Sequence, residues 1–145
     1  MDNIRLFLAD DDKDDRELFM DALGEVPLNT EVTQFDNGVD LMDNLFSDSP
    51  LPDVIFLDLY MPIMDGFACL ADIRSFSRFR DIKVIVYSTS YVEREVDQLK
   101  ADGANKYIQK PNSFNQLKTL LYKSLKQMDG DMEGKRQGTD FVVLV

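Results

Sequence analysis

The sequence predicts an α/β domain built on a parallel five-stranded sheet with helices on both faces. Three observations carry this prediction. Five short apolar runs alternate with five segments of helical period. Glycine, proline and aspartate punctuate nearly every junction. The chain's 145 residues suit a single substantial core. Parallel strands return through right-handed helical crossovers, so such a sheet is covered on both sides.

Ile4 to Ala9 reads as a buried first strand. Asp12 or Asp14 can cap the helix that carries Leu18, Phe19, Ala22 and Leu23, and Gly24 closes it. Glu31 to Phe35 forms the second strand, ended by the turn signal Asp36-Asn37-Gly38. Leu41, Met42, Leu45 and Phe46 share one face of the next helix, which Ser47 to Pro52 break. Val54 to Asp58 is the third strand, and its helix carries Phe67, Leu70 and Ile73. The basic, aromatic stretch Arg74 to Arg80 is expected to be a mobile connector with a few packed rings. Lys83 to Tyr87 is the fourth strand, followed by Ser88-Thr89-Ser90 and a helix bearing Val92, Val96 and Leu99 up to Gly103. Asn105 to Gln109 is a fifth, less apolar strand that leads into Lys110-Pro111. Phe114, Leu117, Leu120, Leu121 and Leu125 mark the last helix.

The periodic pattern stops after Met128, so residues 1–128 are expected to form the domain and 129–145 a flexible tail without an output module. Asp129 to Asp140 is rich in glycine and charge and reads as disordered. The tail nevertheless ends in Phe141-Val142-Val143-Leu144-Val145, which can dock on the chain's own surface or on a partner's sheet edge.

Composition excludes several functions. With 44% apolar and 30% charged residues the chain reads as an ordinary soluble globular protein. A net charge of −11 argues against non-specific nucleic-acid binding, which needs a basic face to neutralise phosphates, and no nucleic-acid partner is expected. No apolar run is long enough for a membrane span, and the short apolar start followed by acids is no signal peptide. The lone Cys69 cannot form an internal disulfide, which suits the reducing cytoplasm. The chain has no histidine, which removes imidazole acid/base chemistry, Ser/His triads and His-ligated zinc.

The remaining chemistry belongs to carboxylates, hydroxyls, amines and backbone. In a parallel sheet all carboxyl ends share one rim, where open α/β folds place their ligands. Strand one ends in Asp10-Asp11-Asp12, strand three in Asp58, strand four in Ser88 and strand five in Lys110. Clustered acids are costly without a cation, and hard oxygen donors with open water positions suit Mg²⁺ or Mn²⁺. Asp58 is then a nucleophile forming an acyl phosphate, with Lys110 and the Ser88 hydroxyl on the transferred oxygens.

Four motifs in order carry a resemblance. They are Phe7-Leu8-Ala9-Asp10-Asp11-Asp12, the segment Asp53 to Gly66 with Met61-Pro62 and Met64-Asp65-Gly66, Ser88, and Lys110-Pro111. Together they resemble the receiver domain of two-component response regulators, of the stand-alone chemotaxis-regulator type, over residues 3 to 128. The resemblance implies a flavodoxin-like (βα)5 fold with strand order 2-1-3-4-5. It implies phosphorylation of Asp58 by a sensor histidine kinase or phosphotransfer protein. Mg²⁺, with Mn²⁺ possible, would be bound by Asp11, Asp58, the Tyr60 carbonyl and, through water, Asp10. It also implies a cis Lys110–Pro111 peptide and a Ser88–Tyr107 switch pair, the ring turning inward on phosphorylation. Output is expected by contact with a downstream protein, with a homodimer through helix four, strand five and helix five possible. Tyr60 and Ser90 fall where the family tunes phosphoryl lifetime, and a bulky Tyr60 implies slow autodephosphorylation. Two rival functions remain. An aspartyl-phosphate phosphatase commonly needs a second acid where Tyr60 stands, and a phosphorylation-independent binding module would keep the pocket without using it.

Overall fold

The structure, a computed structural model, describes residues 3–132 and 140–145. Its elements are β1 (Ile4–Ala9), α1 (Lys13–Gly24), β2 (Thr30–Phe35), α2 (Gly38–Phe46), β3 (Val54–Leu57) and α3 (Gly66–Ser75), followed by β4 (Lys83–Ser88), α4 (Glu93–Ala101), β5 (Lys106–Gln109) and α5 (Phe114–Met132). The strands form one sheet in the order β2-β1-β3-β4-β5, every neighbour parallel. This is the flavodoxin-like arrangement. Its strand order reverses between β1 and β3, and that opens a crevice above their carboxyl ends.

Side-chain alternation divides the core into two layers. Leu6 and Leu8 of β1 pack with Phe19, Leu23, Leu117 and Leu121 of α1 and α5. Phe7 and Ala9 face the other way, toward Leu41, Leu70 and Val96 of α2, α3 and α4. β3 and β4 are buried on both faces, as continuous apolar runs in a parallel sheet should be. Side chains set four of the helix starts: Asp12, Asn37, Asp65 and Ser113 each accept the backbone N–H three residues on, at 3.1, 2.8, 2.9 and 3.3 Å.

The Arg74 to Arg80 connector is ordered, contrary to expectation. Residues Ser77–Phe79 form a turn of 3₁₀ helix with Phe79 fully buried. Arg74 fastens it by donating to the carbonyls of Gly103, Phe79 and Ile82 and to Asn105 Oδ1, at 2.8–3.3 Å. Arg74 stands in the last turn of α3, and its fork of donors satisfies three carbonyls at once.

The tail also differs from the sequence reading. Residues 129–132 continue α5, whereas 133–139 lie outside the described residues. The apolar end docks on its own chain, in parallel beside β5. The Tyr107 N–H donates to the Phe141 carbonyl at 3.0 Å, and the Val143 N–H donates to the Tyr107 carbonyl at 2.9 Å. Val143 is buried with the α1/α5 layer, while Phe141 and Val142 pack on the opposite layer. Lys106 Nζ and Lys123 Nζ reach the Asp140 and Leu144 carbonyls at 2.8 and 2.7 Å. The β5 edge that a dimer through α4, β5 and α5 would use therefore already carries this segment. Deleting residues 140–145 removes both partners of the Tyr107 backbone. Amide exchange at Tyr107 is then expected to accelerate more than about tenfold while Val86, central in the sheet, is unchanged. Equal Tyr107 protection in the truncated and full chains would show that the tail is not docked in solution.

Candidate functional site

The functional residues stand at or just beyond the strand ends, and backbone bonds carry the sheet ladder up to them. The Asp10 N–H donates to Phe35 O (3.0 Å), Asp58 N–H to Ala9 O (2.9 Å) and Lys110 N–H to Ser88 O (2.8 Å). Asp10, Asp58, Ser88 and Lys110 are thereby held on one rim by rigid β structure. The loop after Asp58 turns back sharply. A Cβ at position 66 would overlap the Asp58 carbonyl oxygen, so only glycine fits there. Ile63, with φ of 71°, bends the loop through a conformation costly for a β-branched residue.

Lys110 Nζ lies at the centre. It donates to Asp10 Oδ2 at 2.7 Å and to Asp15 Oδ2 at 2.8 Å, and stands 3.7 Å from Asp58 Oδ2. It also sits 5.1 Å above the Tyr87 ring, itself edge-on to Phe19 and Phe56. Burial works to lower the Lys110 pKa, but the bonds to Asp10 and Asp15 outweigh it and hold the ammonium above its ordinary range. Asp10 is wholly buried; its Oδ1 accepts the Asp12 N–H at 2.9 Å, and its carbonyl accepts from Arg16 at 2.6 Å.

Asp58 has one oxygen anchored, Oδ1 accepting the Leu59 N–H at 2.9 Å. The other faces Lys110 at a distance too long for a hydrogen bond. Burial raises the Asp58 pKa most, Lys110 lowers it, Asp10 raises it, and the carboxyl is pushed up to about 7.

One oxygen from each of Asp10, Asp11 and Asp58 lies within 4.8 Å of the others. Burial chiefly, with Asp10 and Asp11 adding to it, holds the Asp58 carboxyl up, and a hard divalent cation would relieve that cost. The donor set therefore fits Mg²⁺ or Mn²⁺, with room for water. Tyr60, whose backbone carbonyl is the remaining expected ligand, follows in the same loop.

The switch positions are joined as well. The fully buried Ser88 hydroxyl lies 3.2 Å from that of Ser90. Tyr107 is buried with its ring inward, its hydroxyl donating to the Ser90 carbonyl at 2.5 Å and its ring edge-on to Tyr91. Burial raises the Tyr107 phenol, partly countered by the Ser90 and Ser88 bonds.

The structure gathers Asp10, Asp11, Asp58 and Lys110 at this rim and joins Ser88, Ser90 and Tyr107 to one another; one expectation fails: among the described residues no peptide bond is cis, so Lys110–Pro111 is trans, the intrinsically favoured isomer. Asp15, Arg16 and Glu95 were missed. The signal for Asp15 and Arg16 was their position one helical turn after the acidic run, the turn that faces the same crevice. Glu95 left no signal, because its contact spans 35 residues.

Comparison with known proteins gives the family and the fold. The response regulator receiver domain model matches residues 6–122. A relative is the sensor histidine kinase CheAY of Helicobacter pylori, 28% identical over 122 residues. The match covers 84% of this chain but only 15% of that protein. Among solved structures, the phosphorylated cyanobacterial phytochrome response regulator RcpA superposes with a TM-score of 0.81 at 29% identity, covering 90% of this chain and 96% of that one. The Mn²⁺-bound form of response regulator Rcp1 superposes at 0.73 with 25% identity, covering 95% and 98%.

Proposed function

Because the chain belongs to the response regulator receiver domain family, we propose that it is a switch that takes a phosphoryl group onto Asp58 and signals by protein contact. The observation that carries this reading is the meeting of Asp58 with Asp10, Asp11 and Lys110 at one rim of the sheet. A divalent cation held by Asp10, Asp11, Asp58 and the Tyr60 carbonyl would favour the Asp58 carboxylate and offset charge on the phosphoryl oxygens.

Asp58 Oδ2 attacks phosphorus, and a new O–P bond forms. The P–N bond to a donor imidazole, or the P–O bond of a small acyl phosphate, breaks, and its electron pair leaves with that group. Lys110 Nζ, already 3.7 Å from the attacking oxygen, takes up charge on the equatorial oxygens. The Ser88 hydroxyl leaves Ser90 to donate to one of them, and the Ser90–Tyr107 contact is redrawn. New charge-assisted bonds thus bias a two-state element between β4 and β5.

The donor is a histidine kinase or phosphotransfer protein, the compartment is the cytoplasm, and residues 1–128 act as the receiver. No described helix is long and apolar enough to cross a membrane. Cys69 takes no part: it is buried, and burial chiefly pushes its thiol up to about 12.

Incubation with acetyl phosphate and Mg²⁺ should add one phosphoryl group by intact mass, mapped to the Val54–Met64 segment and absent in EDTA. Protein that never gains it would favour a phosphorylation-independent module. Steady release of phosphate from phosphoesters would favour a phosphatase.

A further inference from the structure

We propose that Glu95 is a positioning residue for the phosphorylation site, latching the Tyr60 ring across its mouth so that water reaches the acyl phosphate slowly. The proposal rests on the reading of Asp58 as phosphoacceptor. Tyr60 is half exposed, and a tyrosine so placed ordinarily samples several rotamers in water. Here its hydroxyl donates to Glu95 Oε1 at 2.8 Å and its ring packs edge-on against Phe67 at 6.3 Å.

Topology shows what the latch closes. Tyr60 leaves the loop after β3, and Glu95 stands in the first turn of α4, just after β4. β3 and β4 are adjacent in the sheet, and Asp58 and Ser88 cap their carboxyl ends. A ring fastened from one loop to the other is a bar across the gap above those two residues. Phe67 limits swing toward α3, and only the Glu95 bond ties the ring to α4.

Glu95 suits the task. It is half-buried while Glu93 and Arg94 are exposed, and its charge sits at the favourable end of the helix macrodipole. The strong Glu95 acceptor also holds the Tyr60 phenol above its ordinary range.

The test follows acyl-phosphate decay in the full chain after loading from acetyl phosphate with Mg²⁺, alongside the melting temperature. Glu95→Ala and Tyr60→Phe should each speed decay about three- to tenfold, the scale of one lost hydrogen bond. The double variant should be no faster than either. Glu95→Gln keeps an acceptor oxygen and should stay within about twofold of the parent. Decay indifferent to Glu95→Ala, no rescue by Gln, or additive single effects would each overturn the latch. Failure of the parent chain itself to take up a phosphoryl group would overturn the phosphoacceptor reading as well, which keeps the two failures distinct.

Discussion

Asp58→Asn is expected to abolish phosphoryl uptake and, in EDTA at pH 8, to make the protein more stable than the parent. The chemical loss is complete because the amide oxygen is not a nucleophile of comparable strength. The stability gain follows from the Asp58 environment. Its carboxyl is held at about 7 in the fold against 3.8 outside it, chiefly by burial. Below the lower value both states are protonated and the site costs nothing. Between about 4 and 7 the unfolded chain releases the proton first, so stability falls as pH rises. Above about 7 the penalty is complete. A shift of this size sets a ceiling of about 4 kcal/mol, and relaxation of the crowded acids leaves about 1–3 kcal/mol.

Asparagine keeps the size and the Leu59 contact without the charge. Its advantage should be near zero at pH 4 and largest above pH 7, with a melting temperature about 4–10 °C higher. Mg²⁺ should narrow the gap from the other side, raising the parent more than the variant, because the variant has lost one ligand and needs less neutralisation. Identical denaturation curves at pH 8 in EDTA would show that the acidic cluster carries no strain.

Much of this site was legible in sequence because its chemistry is attached to strand ends. Once five apolar runs alternate with helices, the sheet must be parallel, and Asp10, Asp58, Ser88 and Lys110 must share a rim. Rotamers and long-range pairings are set instead by packing. Arg74 reads as a loop charge until Gly103, Phe79 and Ile82 present carbonyls to it. The apolar Phe141–Val145 end left its destination open because hydrophobicity reports that a segment will bury, not where. The β5 edge receives it because Tyr107 offers an N–H and a carbonyl in the spacing a parallel neighbour needs. Asp15 was missed for a related reason: an exposed-looking acid in the first turn of α1 is ordinary, and only the reach of Lys110 makes it a partner.

Lys110→Ala should destabilise the metal-free fold substantially. Lys110 is nearly buried and faces three carboxylates, of which Asp10 is wholly inaccessible to solvent. Without the ammonium, Asp10 retains the Asp12 N–H on one oxygen and nothing on the other. Breaking a buried pair in this way costs about 3–5 kcal/mol; Asp15, a third exposed, can turn to water, so about 2–4 kcal/mol is expected. The pH profile separates charge from packing. Lys110 lowers the Asp58 pKa, so its removal drives that carboxyl further above 7. The deficit should therefore be greatest at pH 8 and shrink toward pH 5 as Asp58 protonates, whereas lost packing on Tyr87 would cost the same at every pH. Mg²⁺ should restore part of the stability but not the rate of phosphoryl uptake, since the ammonium also meets the transferred oxygens beside Asp58 Oδ2. The decisive comparison is the double variant. With the cation gone, Asp58→Asn removes a repulsion that nothing offsets, so it should stabilise the Lys110→Ala background at pH 8 by more than it stabilises the parent.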